Sequence, residues 1–308
     1  MAQIKTTPIT RIKDISKKDF IQNFYKPQRP VLLDGLTKDW GAYGKWNLDY
    51  IQQRAGDQVV PLYNSEPTKG KQNSAAPVQH MKLYDYIDLL KTAPTDLRIF
   101  FYNILDHMPE LIKDFKYPDI GLKFFKRLPA MFFGGKGSKV LLHYDMDLAD
   151  AIHFHFHGNK SVTLFAPDQT KYLYKVPFAV HNLETINLES PDFKKYPALQ
   201  HVTGVQVHMK HGDALYMPSG YWHYIKYLDS GFSLTLRAFP RKPQKVATML
   251  YNVFIMRHFE NSMRKMFGQK WVDYKDNLVV RKTNNAKNLS KARIEKQEPR
   301  NKTDSDLL

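Results

Sequence analysis

Apolar residues along this chain fall into two rhythms. From residue 8 to about 105 the pattern is mixed. Pro30-Val31-Leu32-Leu33-Asp34-Gly35 reads as a short apolar strand closed by a glycine turn. Asn47 to Ala55 has helical spacing, with Asn47 placed as the N-cap, and Leu83 to Leu90 predicts another helix. Residues 64–77 are polar and rich in Lys, Ser, Asn and Pro, which predicts an exposed loop. Leu97 to Leu105 is β-like in composition. From Ala130 to Phe239 the rhythm changes to short β-type runs punctuated by Gly, Pro and Asp. The runs are Val140–Leu142, Ala151–His157, Ser161–Phe165, Val205–Met209, Ala214–Met217 and Phe232–Phe239. Many short strands in succession predict a sandwich or barrel.

After Phe239 the period lengthens again. Val246, Leu250, Val253, Phe254, Phe259 and Met263 recur at about helical spacing, so Lys245 to Met266 predicts an amphipathic helix. Such a helix either packs on its own domain or forms a homodimer interface. Beyond Val280 apolar residues nearly vanish, which predicts disorder. The expected organisation is a β domain with an N-terminal helical and strand extension over 1–240, a helical segment over 241–279 and a basic tail over 280–308.

Composition narrows the chemistry. There is no cysteine among the 308 residues, so disulfides and thiolate metal sites are excluded and any metal must sit on His and carboxylate. The first twenty residues hold no apolar stretch and no run of 18 apolar residues occurs anywhere, so neither a signal peptide nor a membrane span is expected, and a cytoplasmic location is. The net charge of +16 suits a polyanionic partner such as nucleic acid, the ribosome or an acidic protein, or it is simply a lysine-rich surface. The stretch from Arg281 to Leu308 carries 8 basic and 4 acidic residues, so most of the excess is spread elsewhere. No stripe of Arg alternating with aromatics occurs, and the nucleic-acid reading rests on charge alone.

The candidate chemistry begins at His143-Tyr144-Asp145. Two residues apart on a strand, His143 and Asp145 point to one face, and a third ligand must come from another strand. His223 follows the turn–strand–Pro unit Gly212 to Pro218 and supplies that third group. Two histidines and one carboxylate are the facial set that holds Fe(II) and leaves the opposite face open. Three further histidines, His153, His155 and His157, alternate with Phe154 and Phe156. In a strand they share one face, where they line a pocket as polar filling, orient a substrate or hold a second metal. Trp222 beside His223 is a further pocket candidate. Arg237 lies on the predicted strand running to Phe239, and its guanidinium suits a carboxylate.

From Val140 onward the chain resembles the JmjC family of cupin-fold 2-oxoglutarate oxygenases, in the subgroup of small hydroxylases that act on a protein side chain or a tRNA base. The matching stretches are LLHYD (141–145), HGNKSVTLFAPDQTKYLY (157–174), LESPDFKKYPAL (188–199) and GDALYMPSGYWHYI (212–225), preceded by RPVLLDGLTKDW (29–40). The resemblance covers roughly residues 10–240. It implies a mainly β double-stranded β-helix, the jelly-roll cupin, with helical flanks, and a dioxygenase that uses Fe(II), 2-oxoglutarate and O2. His143, Asp145 and His223 become the iron ligands, and Lys160 matches the lysine that pairs with the distal carboxylate of 2-oxoglutarate. Tyr102, by strand parity with Phe100, and Arg237 are expected to share in binding that cosubstrate.

The sequence departs from the family in places. Val140 stands where a Thr or Ser is common, Phe100 near the place of a Tyr, Ala149, Asp150 and Ala151 surround the place of a usual Asn, and Arg237 stands where some relatives have an Asn. Two rivals therefore accompany the hydroxylase reading. One is a non-catalytic metal-binding cupin, and the other is a cupin metalloenzyme that does not use 2-oxoglutarate.

Overall fold

The computed structural model describes residues 3–66 and 76–285. Its strands are β1 (Lys5–Pro8), β2 (Arg11–Lys13), β3 (Val31–Asp34), β4 (Val59–Leu62), β5 (Gln79–Lys82), β6 (Arg98–Asn103), β7 (Ala130–Gly134), β8 (Lys139–His143), β9 (Asp150–His157), β10 (Lys160–Phe165), β11 (Thr203–Met209), β12 (Ala214–Met217), β13 (Trp222–Tyr227) and β14 (Gly231–Ala238). Strands β7 to β14 alternate between two facing sheets, except that β10 and β11 are neighbours in one sheet. β8, β13, β10 and β11 form one, and β7, β14, β9 and β12 the other. This is the double-stranded β-helix. β1 extends the first sheet, β6 extends one edge of the second, and β3 and β2 extend the other. β4 and β5 form a separate hairpin.

Three apolar layers follow from strand alternation. Between the sheets, Leu32, Val162, Leu164, Val207, Met209, Leu215, Met217 and Ile225 pack together. Outside the larger sheet, Phe154, Phe156, Leu234 and Leu236 pack against Trp40, Trp46, Tyr86 and Phe115 of the N-terminal helical region. Outside the smaller sheet, Trp222 and Leu142 pack against the segment from Tyr172 to Val202 and against Val279. The larger sheet is thus covered on both faces, which is why β14 is buried along its whole length.

The helix Leu48–Ala55 starts at Asn47, whose side chain accepts from the Tyr50 amide. The helix Leu83–Thr92 also stands where spacing predicted one. β6 is shorter than the β-like stretch from Leu97 to Leu105, because the chain turns helical at Ile104–His107. The C-terminal helix spans Pro243–Phe267, with a wide π-helical turn at Tyr251–Met256, and is followed by another at Gln269–Thr283. This last helix carries regular structure past Val280, where disorder was expected. Val279 and Val280 explain it, because they dock on the outer face of the smaller sheet. The rest of the expected tail from 286, and residues 67–75 of the expected loop, lie outside the described residues.

Candidate metal centre

β8 and β13 lie side by side, with His143 directly opposite His223. Their ring centroids are 4.2 Å apart. Asp145 follows two residues after His143, and donor atoms of the three side chains all lie within 4.8 Å of one another. Each imidazole is oriented from behind. His143 Nδ1 lies 2.8 Å from the Leu141 carbonyl, and His223 Nδ1 lies 3.2 Å from that of Tyr221. A nitrogen facing a carbonyl must carry the proton, so Nε2 presents its lone pair in both rings. Burial, reinforced by His223, holds the His143 pKa down at about 3, and burial also lowers that of His223. Both are neutral donors at physiological pH. Burial alone would raise the Asp145 pKa, but Arg237 and the imidazoles outweigh it and keep the carboxyl ionised. Neutral imidazoles and an ionised carboxylate are the protonation states a divalent metal requires.

Behind the triad the space between the sheets turns polar. Lys160, Val162 and Leu164 share the inward face of β10, so Lys160 is 1% exposed. Its Nζ donates to Ser233 Oγ at 2.8 Å and lies 5.8 Å from the Tyr227 ring centroid. No carboxylate among the described residues pairs with it, and burial pulls its pKa down to about 7. Ser233 in turn faces His155 Nδ1 at 2.8 Å, and His155 Nε2 reaches the Gly158 carbonyl at 2.9 Å. The Nε2–H donates, so the Ser233 hydroxyl donates to Nδ1 and accepts from Lys160. His153 is held likewise by Thr235 Oγ1 at 3.0 Å. Burial lowers the pKa of both histidines well below the ordinary value. His157 is only partly buried, and its ring stacks on Phe232. Among the described residues the only group of three or more metal-binding side chains is the triad.

The remaining candidates stand elsewhere. Tyr102 faces away from the triad. Its hydroxyl donates to Gln58 at 2.5 Å, and its ring stacks on His107 in the outer core. Phe101 has φ 61° and breaks the register of β6 with β7, so the parity counted from Phe100 fails. Trp222 points opposite to His223, into the outer core, where Nε1 donates to Thr170. Arg237 lies close to the triad but turns to acids. It binds Asp147 through Nε at 3.1 Å and Nη2 at 2.8 Å, and Nη2 also meets Asp145 Oδ2 at 2.9 Å. Sequence reading passed over Ser233, Thr235 and Asp147. The two hydroxyls did leave a signal, because with Arg237 they alternate against Leu234 and Leu236 along the strand.

The profile of the cupin-like domain family matches residues 17–265. This chain belongs to that family, and JmjC proteins are among its relatives. It is 27% identical to lysine-specific demethylase 8 of Danio rerio over 244 residues, which cover 75% of this chain and 58% of the relative. It is 26% identical to tRNA wybutosine-synthesizing protein 5 of Homo sapiens over 242 residues, 70% of this chain and 73% of that one. JmjC domain-containing protein D of Dictyostelium discoideum is 25% identical, with 72% of this chain and 55% of the relative covered. The chain therefore spans little more than half of the demethylase 8 protein. JmjC proteins are, as a family, Fe(II)- and 2-oxoglutarate-dependent oxygenases. The residues present fit both groups. The triad offers two lone pairs and an anion, and Lys160 is a buried ammonium without a carboxylate.

Proposed function

We propose that this protein is an Fe(II)- and 2-oxoglutarate-dependent oxygenase, a hydroxylase of a protein side chain or an RNA base. The observation that carries the reading is Lys160. A buried ammonium whose hydrogen-bond partner is a hydroxyl is costly unless an anion joins it. One dicarboxylate answers both demands of the site, since its keto-acid end suits a metal on His143, Asp145 and His223 and its far carboxylate suits Lys160. Bound iron and 2-oxoglutarate would supply O2 activation, with oxidative decarboxylation to succinate and CO2 coupled to oxygen insertion into the substrate. The chain's own part is to present two neutral imidazoles, to keep Asp145 ionised and to hold the ammonium through the Ser233–His155 relay. Hydroxylation is chosen over demethylation on the resemblance to the small hydroxylases. The +16 charge supports an RNA, a ribosomal protein or an acidic protein as the substrate.

The test is anaerobic titration of the Fe(II)-loaded protein with 2-oxoglutarate, following the visible metal-to-ligand charge-transfer band. The band is expected with the native chain, absent in His143→Ala and weakened in Lys160→Ala. A second reading, a metal-binding cupin without this cosubstrate, draws on Val140 and on Tyr102, which together leave the pocket without two hydroxyls of the family pattern. Iron binding with no band at millimolar 2-oxoglutarate would establish it.

A further inference from the structure

The Arg237 guanidinium stands between two carboxylates that have different fates. Asp145 is a metal ligand, and its Oδ2 meets Arg237 Nη2 at 2.9 Å. Asp147 takes the same Nη2 at 2.8 Å and Nε at 3.1 Å, a two-pronged grip that occupies both of its oxygens. Asp147 also accepts from the Ala149 amide at 3.1 Å. The loop carrying both acids is tied from outside, where Asn252 of the C-terminal helix donates to the Met146 carbonyl at 3.1 Å. Arg237 is 3% exposed, and its guanidinium lies 5.0 Å from the Phe101 ring centroid.

A permanent cation next to a divalent metal's ligand weakens metal binding by simple repulsion. Its placement needs a compensating gain. Two carboxylates in one half-buried loop would otherwise both be drawn to the metal, and a carboxylate with a free second oxygen can coordinate through both. Either event would fill positions that an oxygenase must leave open for its cosubstrate and O2.

We propose that Arg237 is a positioning residue that keeps the coordination sphere open. It occupies the second oxygen of Asp145 and both oxygens of Asp147, so that the protein contributes three donor atoms and no more. The proposal deepens the oxygenase reading and rests on it for the use of the open face. It requires only the metal site for its first measurement.

The experiment compares the native chain, Arg237→Gln and the double variant Arg237→Gln/Asp147→Asn. Fe(II) affinity is measured anaerobically by competition with a chelator, and the 2-oxoglutarate charge-transfer band is recorded on the loaded proteins. Arg237→Gln should bind Fe(II) more tightly, by roughly tenfold or more, because the repelling cation is gone and Asp147 is free to coordinate, and should lose the band. The neutral amide introduced by Asp147→Asn is a poor ligand, so the double variant should return both the affinity and the band to native values. Metal binding in Arg237→Gln that is unchanged or weaker overturns the proposal. So does a double variant that fails to recover, the result expected if Arg237 grips the cosubstrate directly. If thermal melting shows Arg237→Gln unfolded, Arg237→Lys replaces it, because one ammonium cannot hold both acids, and a smaller tightening is expected since the cation stays. A native chain that binds iron and gives no band overturns the cosubstrate reading, while the affinity comparison still decides the role of Arg237.

Discussion

Lys160 shows at the scale of one residue how a site is made at the expense of stability. Its ammonium sits between the sheets on a serine hydroxyl, and burial lowers its pKa from the usual lysine range to about 7. Between that value and about 10.4 the unfolded chain holds a proton that the native state has released. Stability of the metal-free protein therefore rises with pH across this window and gains nothing from Lys160 below it. Cosubstrate binding runs the other way, since a carboxylate needs the ammonium, so affinity for 2-oxoglutarate should fall as pH rises above 7. Lys160→Met should melt at a higher temperature than the native metal-free protein, lose the pH-dependent contribution of Lys160 and bind 2-oxoglutarate more weakly. Calorimetry at pH 7 and pH 9 beside a binding titration would show it, and a lower melting temperature for Lys160→Met would sink this account.

At the scale of elements, irregularities decide what alternation alone cannot. β8 places an extra residue opposite β13 between His143 and Val140, so both side chains face the space between the sheets. At Phe101 the left-handed backbone breaks β6 and sends Tyr102 outward. Neither follows from the spacing of apolar residues, because a bulge costs one residue in a pattern of two and leaves no mark on composition. A close approach matters equally on β7. A Cβ built on Gly134 would lie 2.4 Å from Tyr227 Cδ2, and that ring borders the Lys160 ammonium. Gly134→Ala should destabilise the fold by about 1–3 kcal/mol through overpacking and weaken 2-oxoglutarate binding as the ring shifts. Chemical denaturation with unchanged midpoint and slope would show that the ring yields freely.

At the scale of the whole molecule, the C-terminal helices have two sides. Asn252 and Met256 are buried against the domain, while Phe254 and Ile255 on the same turn are 63% and 59% exposed. Leu250, Tyr251, Met266 and Phe267 extend this apolar exposure. The homodimer expected from the amphipathic spacing would cover it. Sedimentation should find a dimer for the native chain and a monomer for the Phe254→Glu/Ile255→Glu variant. Equal masses for the two proteins would exclude this face as the interface.

Most of the strand runs, the placing of His143 and Asp145 on one face and the choice of His223 as their partner were legible in the sequence itself. Each depends on short-range rules, namely alternation along a strand, a glycine or proline that ends it and the fixed chemistry of His and Asp. The helix at Asn47 and the facing of His153 and His155 away from Phe154 and Phe156 belong with them. What only the tertiary structure decided is which partner each polar group finds. Arg237 meets Asp147 across 90 positions of sequence, and Ser233 meets Lys160 across 73. A guanidinium suits a cosubstrate carboxylate as well as an aspartate, so its chemistry alone left both open. The packing of β14 against the loop after Asp145 brought the aspartates within reach, and burial made that pairing the one the fold keeps.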